Sequence, residues 1–274
     1  NSVGNLAKAD DTITLTFSSN EPIQTPVVTF QINELQIHSD TYVDISNTSG
    51  NNWAVSFDVS SGLHTDGIVS YSVSFDDIVG NTSDINSGSG VTIDITSPIL
   101  SVASFLSSNN NNTLARENDT VTLLFSSNET IQSPTVTFDI SGISVDNSII
   151  DISNISDNNW KAEFIINNSH VNHTIEYGIE AIDLVGNLSS LQGSGVVVDK
   201  VSPTIFIVNF ASDNIGNIDV ATIGHKIYVS FTANEEIQTP TVVFEISGSI
   251  VDSNIIDISN TSENNWIASF DVNS

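Results

Sequence analysis

The residues of this chain that could do chemistry are overwhelmingly carboxylates. There are 33 Asp and Glu against five Lys and Arg, no Cys, and five His. Several of the acids recur in fixed phrases. Glu21, Glu129 and Glu235 each follow an Asn and lead into x-Ile-Gln-(Thr/Ser)-Pro. Asp77 and Asp183 each head an Asp-x-Val-Gly-Asn stretch, and Asp94 and Asp199 each open Asp-x-x-Ser-Pro. Hard oxygen ligands without thiolate or paired imidazole suit Ca²⁺ far better than zinc or copper, with backbone carbonyls and water filling the shell. His170 and His173 have the spacing of a ligand pair, but the matching stretch around His64 has no second His, so both read as parts of a surface turn.

Other chemistry is excluded by what the chain lacks. It contains no Gly-x-Ser-x-Gly, no phosphate loop, no His-Glu-x-x-His and no repeated carboxylate pair suited to a cleft, so it reads as no enzyme. The absence of Cys removes disulfides, thiolate metal sites and cysteine nucleophiles together. A net charge of −28 argues against nucleic acid or an anionic lipid surface as partner. That excess admits two explanations, bound cations and solubility in a salty medium. No apolar run is long enough to cross a membrane.

The elements that must position these acids repeat with them. Trp53, Trp160 and Trp266 recur 107 and 106 residues apart, each ending the phrase Asp-Ile-Ser-Asn-x-Ser-x-Asn-Asn-Trp. That period is the size of one small domain rather than one solenoid turn. Within each copy, apolar residues alternate with polar ones: Ile13, Leu15, Phe17; Val121, Leu123, Phe125; Ile227, Val229, Phe231. Period-two alternation buries one face of a strand. About seven such strands, separated by Asn, Ser, Gly and Asp, fit an all-β sandwich. Lettered A to G in the middle copy, A lies near Ile99–Phe105, B Thr120–Ser126, C Thr135–Ile140, E Trp160–Ile166, F Thr174–Ile182 and G Gly195–Asp199. A short strand near Ile149–Ile152 completes the set. The three Trp share the phase of Phe57, Phe164 and Phe270 and read as core rather than as exposed sugar-stacking surfaces.

The expected divisions are a first repeat over 1–95 without its first strand, a complete second over 96–200, and a third over 201–274 without its last two strands. The chain therefore reads as a window from a longer array. The alternative is a subunit completed by strands of neighbouring chains, which would build a polymer. No flexible spacer separates the repeats, and Pro98 and Pro203 restrict the junction backbone, so the array is expected to be semi-rigid.

The junction phrase, Asp183-Leu-Val-Gly-Asn187 and Phe-x-x-Asn-Glu-x-Ile together resemble the tandem bacterial Ig-like domains of giant repetitive cell-surface adhesins, and similar modules occur in surface-layer proteins. The resemblance covers the whole chain and implies Ig-like β-sandwiches, an extracellular stalk role, and calcium stiffening the junctions. In such a sandwich the B–C and F–G loops lie where strand A enters. That would bring Asp94, Glu129 and Asp183 together around the second repeat, and Asp199 with Glu235 around the third. Glu21 and Asp77 are the corresponding pair of the first. Turn chemistry alone is the competing reading, since such an Asp can hold its own loop through backbone N–H groups and Glu129 can cap a hairpin.

The expected partners are neighbouring repeats of the same chain, with like chains if the protein is a surface-layer or filament subunit. Neither nucleic acid nor membrane insertion of this segment is expected. Sequons begin at Asn47, Asn81, Asn111, Asn118, Asn128, Asn154, Asn167, Asn172, Asn187 and Asn260 and would carry glycans in a host with the machinery. Isopeptide cross-linking is not built into the repeat, because Lys161 has Ala54 and Ile267 as counterparts.

Overall fold

A computed structural model describes residues 4–37, 44–83 and 86–273. The chain forms two compact units, Asn1–Lys200 and Val201–Ser274. The first unit begins with β1 (Leu6–Ala7), β2 (Thr12–Ser18), β3 (Val27–Ile32), β4 (Leu35–Gln36), β5 (Asp44–Ser49), β6 (Asn52–Asp58), β7 (Gly67–Ser74) and β8 (Asn86–Ile93). These make a five-stranded sheet in the order β1-β8-β7-β3-β4 and a three-stranded sheet β2-β6-β5. The strands pair antiparallel except β1 on β8.

The pattern then returns with β9 (Leu100–Ser107), β10 (Leu114–Ala115), β11 (Thr120–Ser127), β12 (Thr135–Ile140), β13 (Ile143–Ser144), β14 (Asp151–Ser156), β15 (Asn159–Ile165), β16 (Thr174–Ile182) and β17 (Leu188–Val198). Its sheets are β10-β17-β16-β12-β13 and β14-β15-β11-β9. Alternation explains why they stack. Val121, Leu123 and Phe125 of one sheet are at most 1% exposed and meet Val136, Phe138, Ile140, Ile175 and Ile179 of the other. The first set has its own core around Val28, Phe30, Val55, Phe57 and Ile93. Two packed sheets in this strand order, antiparallel but for β1 on β8 and β10 on β17, make each an Ig-like β-sandwich, in tandem and all-β.

The second unit contains β18 (Ile205–Ser212), β19 (Lys226–Ala233), β20 (Glu245–Ile246), β21 (Ser249–Ile250), β22 (Asp257–Ser262) and β23 (Asn265–Asp271). They form a four-stranded sheet β18-β19-β23-β22 and a separate hairpin β20-β21. Val229, Phe231, Phe244, Trp266, Ala268 and Phe270 gather in a third core.

Strand G of the second sandwich differs from expectation. It was expected from Gly195, yet β17 starts at Leu188 and continues the ladder with β16 through Leu188–Ser194, then shifts register before Val197. Leu188-Ser-Ser-Leu-Gln-Gly-Ser carries little strand propensity, so pairing decides its conformation. Glycine has a specific place in that ladder. Tyr177 lies opposite Gly193, and a Cβ on Gly193 would meet the Tyr177 hydroxyl at 2.2 Å. Tyr71 covers Gly88 in the same way, at 2.7 Å. The ring supplies the packing surface that a strand glycine lacks.

Trp53 and Trp266 are buried and Trp160 is half-buried against its core. His64 closes a surface turn in which Ser61, Gly62 and Leu63 are exposed, but its ring is turned into the core. It is 8% exposed, stands edge-on to Phe57 at 5.5 Å, and accepts the Ser60 N–H at Nδ1. His170 repeats both contacts, with Phe164 and the Asn167 N–H, and burial lowers the pKa of each.

Gly193→Ala is expected to destabilise the second sandwich by about 1–3 kcal/mol because Tyr177 must move off its site. Gly90→Ala, where a Cβ meets nothing within 4 Å, is expected to stay within about 0.5 kcal/mol. Urea unfolding midpoints of the two variants provide the comparison.

Candidate metal centre between successive sandwiches

The acidic cluster of the first unit is assembled by neutral hydrogen bonds. The repeated Ile-Gln anchors the loop after β11 to the loop after β16. Ile131 bridges Asp183, the Gln132 N–H donates to the Ile182 carbonyl, and Gln132 Nε2 donates to the Asp183 carbonyl at 3.0 Å. The first sandwich repeats the arrangement, with Ile23 bridging Asp77 and Gln24 Nε2 donating to the Asp77 carbonyl. Asn128 fixes the incoming chain: its N–H donates to the Ile99 carbonyl and its Oδ1 accepts the Ile99 N–H at 2.7 Å.

Asp183 is 1% exposed. Its Oδ1 accepts the N–H groups of Val185, Gly186 and Asn187 at 2.8, 2.6 and 2.9 Å, and its Oδ2 accepts Asn187 Nδ2 at 2.7 Å. Gly186 at φ 100° supplies the left-handed turn residue this loop needs. The same Asn187 Nδ2 donates to the Asp94 carbonyl at 3.0 Å and the Thr96 carbonyl at 3.3 Å. One side-chain amide therefore ties the second sandwich's turn to the segment leaving the first. Asp77 forms the equivalent turn with the Val79 and Asn81 N–H groups and with Asn81 Nδ2. Its pKa is lowered, first by the Asn81 backbone N–H and then by the Asn81 side chain.

Both readings of Asp183 thus describe the same residue: it shapes its turn, and it also stands in a cluster. One carboxylate oxygen from each of Asp94, Glu129 and Asp183 lies within 4.8 Å of the others. Oxygens on one Ca²⁺ at roughly 2.4 Å can be up to about 4.8 Å apart, so three oxygens this close can share one ion. Asp94 and Glu129 are half-buried. Desolvation first, and then the charge of Asp183, raises the pKa of Asp94; desolvation and then the charge of Asp94 raise that of Glu129. The donor set is carboxylate-only, hard and partly dehydrated, which fits Ca²⁺.

The sequence reading missed one acid. Asp66 also repels both groups, while its carboxylate accepts the Ile95 N–H at 2.7 Å and the Thr96 hydroxyl. The Asp66-Gly67 step was the available signal, but only the fold brings it to the junction. Among the described residues, Glu21 and Asp77 join no such group of three. Glu21 is exposed. Asp199 follows β17 in the first unit and donates its N–H to the Ala115 carbonyl. Glu235 follows β19 in the second unit, with Oε1 shielded from solvent and unpartnered.

Several sequon amides already have structural work. Asn47, Asn154 and Asn260 close equivalent hairpin turns through Nδ2 donated to the Gly50, Asp157 and Glu263 carbonyls. Asn81 and Asn187 hold the Asp77 and Asp183 turns. Asn172 Oδ1 accepts the Lys200 N–H, and Asn118 occupies a left-handed turn at φ 72°.

No protein-family model and no curated protein sequence matches the chain. Solved structures with a similar arrangement include the titin I-band fragment I67–I69, at 11% identity and TM-score 0.41, covering 98% of this chain and 85% of that one. Another is a structure described for host cell surface retention of a 1.5-MDa bacterial ice-binding adhesin, at 19% identity and TM-score 0.48, covering 98% of this chain and 84% of that one.

The raised pKa values of Asp94 and Glu129 carry a sign. A folded-state value above the unfolded one stabilises below the unfolded pKa, and that contribution is lost as pH rises through the folded pKa. In chelator, Glu129→Gln is therefore expected to melt above the wild-type chain at pH 7, with the gap closing toward pH 4. Scanning calorimetry across that range checks it.

Proposed function

We propose that the chain is a structural repeat segment of a prokaryotic surface adhesin, acting outside the cell as a semi-rigid stalk or spacer. Ca²⁺ held by Asp94, Glu129 and Asp183 stiffens the junction between repeats 1–95 and 96–200. The supporting observation is the position of the cluster. Its three carboxylates come from the segment joining two sandwiches, the loop after β11 and the loop after β16. A cation there gains most when those parts are held in one geometry, so binding and stiffness are linked. Neighbouring repeats of the same chain are the working partners. The fold alone assigns no adhesion target.

An assembled surface-layer lattice or filament is the second reading. The side of β18 opposite its core face favours it, with Phe206 and Val208 each more than 60% exposed. A stalk stays monomeric at rising concentration in light scattering, whereas a lattice subunit associates.

With calcium at about 100 times its dissociation constant, linkage adds roughly 2.7 kcal/mol. Melting of the linked sandwiches is expected to rise by several degrees, and chelator should reverse the rise. Small-angle scattering should report a narrower distribution of lengths with calcium. Glu129→Gln combined with Asp183→Asn is expected to abolish both responses. Equal melting and scattering with and without calcium would overturn the proposal.

A further inference from the structure

Each sandwich of the first unit carries a histidine that the acidic cluster does not use, at the same place in the repeat. His64 closes the turn between β6 and β7, and His170, one repeat later, closes the turn between β15 and β16. Nδ1 of His64 accepts the Ser60 N–H at 2.9 Å, and the His64 N–H donates back to the Ser60 carbonyl at 2.9 Å. His170 makes the same exchange with Asn167, at 3.1 and 3.3 Å. A ring nitrogen that accepts from an amide carries no proton, so both imidazoles are neutral with the proton on Nε2. Each ring stands edge-on to a core phenylalanine, Phe57 or Phe164. His64 Nε2 is shielded from solvent and has no hydrogen-bond partner.

These turns hold the chain where it leaves each sandwich. Two residues past His64, the Asp66 carboxylate accepts the Ile95 N–H at 2.7 Å and the Thr96 hydroxyl, just beyond the end of β8. Two residues past His170, Asn172 Oδ1 accepts the Lys200 N–H at 3.2 Å, just beyond the end of β17. Lys200 Nζ also donates to the Asn167 and Asn168 carbonyls of the turn, at 3.4 and 3.2 Å. The holding group differs between the copies, a carboxylate in one and an amide in the other, while the histidine turn behind it is the same.

We propose that each histidine turn is a pH-sensitive clasp: the neutral imidazole keeps the turn closed on the departing chain, and protonation opens it. A proton arriving at Nδ1 meets the Ser60 or Asn167 N–H, donor against donor, and an imidazolium left in the core is a buried charge without an acceptor. The ring therefore swings out as it charges. Open cavities of about 180 Å³ beside His64 and about 290 Å³ beside His170 give it a way to water. Burial lowers the pKa of both rings, and the Lys200 charge lowers that of His170 further. The acids on the surrounding elements are engaged elsewhere. Around His64, Asp58 accepts the Thr12 hydroxyl, Asp11 the Lys8 N–H, and Asp66 holds the departing chain, while Glu34 is exposed on the β3–β4 turn. Around His170, Asp146 accepts the Ser148 N–H, Asp119 the Arg116 N–H, and Glu163 pairs with Lys161. A folded value below the unfolded one gives stability that is present above the unfolded pKa of about 6.5 and lost as pH falls toward the folded one. That sign is opposite to the one for Asp94 and Glu129, and Asp66 lies outside their group of three, so the clasp and the calcium site fail separately.

The test takes the full chain, in chelator, from about pH 7.5 to about pH 5. Proton NMR follows the His64 and His170 rings, and amide hydrogen exchange, corrected for its intrinsic pH dependence, follows Ile95 and Lys200. Both rings are expected to titrate below the histidines of the urea-unfolded chain. Protection at Ile95 is expected to fall about tenfold as His64 titrates, and protection at Lys200 by a similar factor as His170 titrates. Gln can accept the turn N–H but does not titrate. His64→Gln is therefore expected to flatten the response at Ile95 and leave that at Lys200, and His170→Gln to do the reverse. Should a Gln variant loosen its sandwich at every pH, the wild-type midpoints decide: ring and amide midpoints that coincide support the clasp, and midpoints that differ overturn it. Rings that titrate with no change at Ile95 or Lys200 also overturn it. So does an unaltered response of Ile95 in His64→Gln, which would assign the effect to Asp66 or to the acidic cluster.

Discussion

Like-charge repulsion within a small space is the constraint around which the first unit is arranged. Three carboxylates within 4.8 Å repel by roughly 3 kcal/mol per ionised pair at an effective dielectric of about 20, and water reaching the half-exposed Asp94 and Glu129 reduces that. The surrounding groups are backbone N–H donors, the Asn187 amide, a fourth acid in Asp66, and the aliphatic stem of Lys8 beside Gly186. Three backbone N–H groups hold Asp183, and Asn187 bridges Asp183 to the carbonyls of Asp94 and Thr96. The ion pairs Lys161–Glu163 and Lys226–Asp271 lie in other parts of the chain. The junction contacts that are seen are hydrogen bonds, from Asn187 Nδ2 to the Asp94 and Thr96 carbonyls and from the Ile95 N–H to the Asp66 carboxylate.

Two separate layers of interaction produce this arrangement. The sandwiches are set by apolar alternation, which puts Phe125 and Phe138 in one core and packs Phe138 against Phe164. The junction is set by short polar phrases at the loop tips: Asn-Glu-x-Ile-Gln on one side and Asp-x-Val-Gly-Asn on the other. The Gln amide reads the Asp carbonyl while the Asp carboxylate reads its own turn, leaving the Glu side chain to approach the group. The core therefore delivers the loops, and hydrogen bonds tune their last few ångströms.

The strands of the core were legible in the sequence because their burial imposes a period of two. Thr120–Ser127 and Thr135–Ile140 follow that alternation residue by residue. The first half of β17 was not legible, since Ser and Gly there are placed by the ladder with β16 and by the Tyr177 ring over Gly193. The gathering of Asp94, Glu129 and Asp183 could be read from repeat phrases once a sandwich topology was assumed. Asp66 could not, because its role depends on a hydrogen bond to Ile95, 29 residues away. The inward ring of His64 was not legible, because nothing in Ser-Gly-Leu-His marks a ring that packs on Phe57.

The central claim is that the three carboxylates form one calcium-binding centre. Anomalous scattering from crystals of the full chain grown in calcium tests it most directly. The account predicts a peak within about 2.3–2.6 Å of an oxygen from each of Asp94, Glu129 and Asp183. Calcium-saturated crystals with no peak there, or with a peak bound by only one of the three, would contradict it.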